Sequence, residues 1–151
     1  ITRGVYAKFT PNITKTLLAG MIGAAVSYVV IGLSGNVILS FIACILVGIF
    51  SAMLWPGTLI LMEEKVPNPG VAAFALMAAS GDFGASIAPQ MLGIIVDKVS
   101  ASAFALELSQ ATSMATDEIG LKIGMLIASV FPILGIGLLI YIMKTLKTTK
   151  K

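Results

Sequence analysis

Apolar residues in this chain come in long runs that charge hardly interrupts. From Thr16 to Met62 there is no charged residue at all, enough for two bilayer crossings at roughly 20 residues each. The turn formers Ser34-Gly35-Asn36 divide that run, so the pattern predicts one helix over about 13–34 and a second over about 36–63, joined by a very short hairpin. The segment from Glu63 to Gly70 combines charges at Glu63, Glu64 and Lys65 with prolines at 67 and 69, a composition that demands water or headgroups and disfavours helix. A third helix is expected over about 71–97, with Asp82 its only charge before it closes at Asp97-Lys98. Residues 98–119 are of mixed polarity. Their Phe104, Leu106 and Leu108 are too sparse for a crossing but adequate for a short surface helix within an external loop. A fourth helix follows over about 120–143, interrupted by Pro132, and a basic tail occupies 144–151.

Composition agrees with four crossings. Of the 151 residues, 58% are hydrophobic and 11% charged, with a mean hydropathy of +1.02, where soluble domains carry about 25% charged residues. The fold class expected is therefore an all-α membrane protein with four transmembrane helices. The polar, basic opening of the chain lacks the apolar core of a signal peptide and reads as the interior of a longer polypeptide.

Charge adds orientation. Arg3, Lys8, Lys15, Lys65, Lys144, Lys147, Lys150 and Lys151 fall on one side of the four helices, and only Lys98 and Lys122 on the other. By the positive-inside rule both termini and the Pro-rich loop are cytoplasmic, which places the chain in a cell or inner membrane. No basic stripe interleaved with aromatics supports nucleic-acid binding, despite a net charge of +3.

The chemistry available is limited. There is no histidine, Cys44 is the single cysteine and lies inside an apolar run, and no Walker loop or nucleophile elbow occurs. No cofactor, metal or enzymatic activity is expected. Asp82 is the exception, because an acid near the middle of a span must face protein or water. It reads either as a coupling-ion or substrate carboxylate in a central cavity, or as a neutral structural acid beside Ser80 and Ser86. Steps of three and four carry Ala78 through Asp82, Ser86, Pro89 and Gly93 to Asp97 along one small, polar face, flanked by Gly81 and Gly84. Pro89 predicts a kink there. Gln90 either lines a cavity or bonds a neighbouring helix. Trp55, followed by Pro56 and Gly57, is either an interfacial anchor or a cavity wall, and Pro56 and Pro132 bend their own helices.

With those residues in view, the chain resembles the major facilitator superfamily of secondary transporters. Ala85, Pro89, Gly93 and Asp97, at steps of four, are similar to the small-Pro-Gly-acid pattern of that family's fifth and eleventh helices. The stretch from Trp55-Pro56-Gly57 to Pro67 resembles the fourth or tenth helix with its cytoplasmic loop, and Arg3-Gly4 with Lys8 resembles the end of a basic interhelical loop. The resemblance implies spans nine to twelve of a twelve-helix permease, with spans three to six as the other placement. It implies alternating-access transport of a small solute, coupled to a proton or sodium gradient, with Asp82, Ser86, Gln90 and Trp55 at the substrate or coupling-ion site. Partners would then be lipid, the remaining helices of the same transporter and a small-molecule substrate. The competing reading is a non-transporting four-helix assembly or accessory subunit, in which Asp82 only holds helices together.

Overall fold

The structure is a computed structural model that describes residues 12–148, with side chains through residue 145. Arg3, Gly4, Lys8, Lys150 and Lys151 lie outside the described residues. The described residues form helices without any strand: α1 (Ile13–Leu33), α2 (Val37–Ser51), α3 (Leu54–Lys65), α4 (Val71–Ser100), α5 (Ala103–Thr112), α6 (Thr116–Ala128) and α7 (Val130–Thr148). They compose four spans long and apolar enough to cross a membrane: α1, α2 with α3, α4, and α6 with α7.

Two spans are divided, and proline places both divisions. The second was expected as one helix, yet it breaks at Ala52 and Met53, between α2 and α3. Pro56 follows by one turn. Its ring has no N–H to give the Ala52 carbonyl and presses on that carbonyl, so the disturbance falls upstream of the proline itself. Pro132 stands in the same relation to Ala128, and the fourth span breaks at Ser129. Pro89 behaves differently, since α4 continues through it without a break where a kink is expected.

Other boundaries shift for local reasons. The Asn36 side chain accepts hydrogen bonds from the Ile38 and Leu39 amides at 2.9 and 3.4 Å, capping α2 and delaying its start to Val37. The helix α4 runs on to Ser100, and the expected loop 98–119 contains α5, capped by Ser102 accepting from the Ala105 amide at 3.2 Å. Ser113, at φ 57°, ends α5 in the left-handed region. The fourth span then begins at Thr116, earlier than predicted, because Asp117 and Glu118 in its first turn suit the positive end of a helix dipole.

The spans pack in the order second, first, fourth, third. The first lies between the second and the fourth and touches both halves of each. The third packs against α6, and it meets the second at α3. Small residues set these approaches: a Cβ at Gly23 would sit 2.5 Å from the Phe50 ring, and one at Gly57 2.7 Å from Leu17 Cδ2. Leu17 is fully buried, in a cluster with Ile13, Met53, Leu61 and Leu139. Close van der Waals fit of this kind holds a bundle together where lipid removes the hydrophobic drive. At one end of the bundle the Thr14 hydroxyl lies 3.6 Å from Met143 Sδ, so the first span starts where the fourth finishes.

Candidate functional site: an apolar cavity and an acidic outer face

All four spans contribute to a cavity of about 600 Å³ at the level of the helix breaks. Met21, Ala24 and Tyr28 come from α1, Ser51 and Leu54 from either side of the second span's break, and Phe131, Pro132 and Gly135 from beyond the fourth span's break. The third span adds Pro89, Leu92 and Ile95 among others. The volume falls in the range of small-molecule sites, about 300–1,000 Å³, and so does the balance of the walls, mostly apolar with few polar groups. Tyr28 and Ser51 supply the hydroxyls.

Of the residues singled out in the sequence, Pro89 and Pro132 line this cavity, while Asp82, Ser86, Gln90 and Trp55 do not. Asp82, Ser86 and Gln90 are exposed, as are Gly93 and Asp97. At 3.6 residues per turn they occupy the side of α4 opposite the cavity-lining Ala88, Leu92 and Ile95. The Ser86 hydroxyl donates to the Asp82 backbone carbonyl at 2.8 Å, which leaves the Asp82 carboxylate available. Ser80 is likewise satisfied by its own helix, donating to the Met77 carbonyl at 2.8 Å, and makes no bond to Asp82.

Trp55 lies at the junction of the second and third spans. Its indole packs so closely on Gly81 that a side chain there would overlap the ring, and Trp55 is still 43% exposed. Gly84 and Gly93, in contrast, face open space. The third span thus sets one side against Trp55, the fourth span and the cavity, with Pro89 at its edge, and leaves Asp82, Ser86 and Gln90 on an exposed side. Tyr28, Ser51 and Phe131 were not legible as site residues, because nothing in the sequence separates them from other residues of the apolar runs. Only the packing order of the spans brings them together. Among the described residues no group of His, Cys, Asp or Glu is arranged to hold a metal.

Four apolar spans packed through glycines, two of them broken upstream of proline around a shared cavity, make this an integral membrane protein of the all-helical class. Over 87 residues the chain is 38% identical to the Tetracenomycin C resistance and export protein of Streptomyces glaucescens, a match that takes in 56% of this chain and 16% of that protein's length. No protein-family model matches the chain, and no solved structure matches it.

Proposed function

We propose that this chain is the part corresponding to spans nine to twelve of a major-facilitator-type secondary transporter, exporting a small, largely apolar solute by alternating access at the expense of an ion gradient. The observation that carries this reading is the 38% identity to a resistance and export protein, located in a chain whose spans are broken around an apolar cavity. The breaks at Ala52–Met53 and Ser129 give two helices points at which to bend, and the mostly apolar cavity walls suit a small apolar molecule.

In this reading the open side of the third span packs against helices contributed elsewhere in the transporter. An acid left facing lipid costs at least about 2.5 kcal/mol near mid-span, so Asp82 requires a protein or aqueous neighbour. Asp82 is assigned the coupling proton or sodium ion, with Ser86 and Gln90 as polar neighbours on the same side. The end of the bundle that holds Thr14 and Met143 is cytoplasmic, as the eight-to-two distribution of cations supports.

The test is gradient-driven transport of an aromatic dye by the full natural chain in proteoliposomes. Asp82→Asn should abolish accumulation driven by an imposed proton or sodium gradient while leaving solute exchange at equal concentrations intact. Accumulation equal to that of the unaltered protein would remove Asp82 from the coupling role. The absence of both accumulation and exchange from the unaltered protein would favour the accessory-subunit reading.

A further inference from the structure

A second cleft opens at the other end of the bundle, where the hairpin of the first two spans meets the start of the fourth. It measures about 310 Å³. Its mouth carries Glu118, Lys122 and Ser40, and its inner wall is apolar, formed in part by Ile31 and Met125. Both the hairpin at Ser34-Gly35-Asn36 and the first turns of α6 are span ends, so the mouth lies at headgroup depth and the wall reaches toward the acyl chains.

The polar groups at the mouth are incompletely used. Lys122 Nζ lies 2.9 Å from Glu118 Oε1 and 3.1 Å from Met114 Sδ, with the lysine side chain 17% and the glutamate 49% exposed. An ammonium has three donors, and a thioether is a weak acceptor. Lys122 therefore has one donor without a partner among the described residues and a second that a stronger acceptor would take from sulfur. Glu118 Oε2 and the Ser40 hydroxyl also lack hydrogen-bond partners among the described residues. Outside the mouth Val37 and Leu121 remain exposed, at 83% and 51%.

We infer that this cleft binds a zwitterionic phospholipid whose headgroup carries a primary ammonium, of the phosphatidylethanolamine class. The phosphate accepts from Lys122 and Ser40, the headgroup ammonium donates to Glu118, and an acyl chain covers Val37 and Leu121. Charge complementarity selects this occupant: a phosphate alone would meet Glu118 as a like charge, and a trimethylammonium has no N–H to donate to it. The site lies across the bundle from the end that holds Thr14 and Met143, and its occupancy does not depend on whether the protein transports anything.

The test is native mass spectrometry of the full natural chain, delipidated in detergent and then offered phosphatidylethanolamine, phosphatidylcholine or phosphatidylglycerol with identical acyl chains. The unaltered protein should retain phosphatidylethanolamine about tenfold better than either other lipid, the factor expected from one charge-assisted hydrogen bond. Glu118→Gln should remove that preference, Lys122→Gln should lower retention of all three lipids, and Lys122→Arg should keep both retention and preference. Unchanged thermal midpoints in lipid-free detergent show that the variants fold, and Ser40→Ala, which should weaken retention less, serves if one does not. Equal retention of the three lipids by the unaltered protein, a preference that survives Glu118→Gln, or retention unchanged by Lys122→Gln would reduce Glu118–Lys122 to a helix-surface ion pair and overturn the assignment. Displacement of the lipid by tail-free phosphoethanolamine at equal concentration would also overturn it, in favour of a soluble ligand.

Discussion

The first and third spans are both long, apolar helices, yet the first is buried over 39% of its most apolar window and the third over none of it. Their sequences differ less than their surroundings do. The first carries Gly20, Gly23 and Gly32 on sides where neighbouring residues approach to backbone distance, and its buried hydroxyl at Ser27 donates to its own Gly23 carbonyl at 2.8 Å. The third carries Gly84 and Gly93 where nothing approaches, and its mid-span acid, Asp82, is exposed. Small residues at membrane depth therefore mark places where a helix can be approached, and the pattern alone does not say which neighbour comes. The first span finds its neighbours within this chain, and in the proposed transporter the third finds them elsewhere.

Three substitutions in the full natural chain would break or sharpen that contrast, each read as a shift in thermal midpoint in detergent. The largest effect is expected from Leu17→Ala, which empties the fully buried position against Gly57. A loss near the low end of the about 2–5 kcal/mol range for such truncations is expected, because the cavity term survives in lipid while much of the transfer term does not. A loss below about 0.5 kcal/mol would mean that the first span is not the packing centre. Gly23→Leu comes next, at about 1–3 kcal/mol, since the new side chain must displace the Phe50 ring or separate the first two spans. The smallest effect belongs to Gly93→Ala, within about 0.5 kcal/mol unless a helix from the rest of the transporter closes on it, because nothing among the described residues approaches a methyl group there. A clear loss at Gly93 would locate a helix from the rest of the transporter at backbone distance from the third span's outer side.

The four spans were legible because charge-free runs longer than a bilayer thickness leave few alternatives, and Ser34-Gly35-Asn36 marked the first hairpin through residues that turn or cap. The short helix within 98–119 was suggested by Phe104, Leu106 and Leu108, and it forms as α5. Bending at Pro56 and Pro132 was expected, but not where each break falls, because proline acts on the carbonyl one turn before it and so disturbs Ala52 and Ala128. Pro89, with the same chemistry, leaves its helix continuous, and no feature of the surrounding sequence signals the difference. The cavity was not legible at all. Tyr28, Ser51 and Phe131 become neighbours only when the first span inserts between the second and the fourth, a packing order that follows from three-dimensional fit and not from hydropathy.

The meeting of Thr14 and Met143 at one end of the bundle bears on how such a segment enters a bilayer. Four crossings that leave and return on the same side can be threaded as two successive hairpins, each shielding its own backbone amides. In the proposed orientation, with that end cytoplasmic, whatever polypeptide flanks them is never carried through the hydrocarbon, so evolution can lengthen, shorten or replace those flanks without rewriting the signals that insert the helices between them.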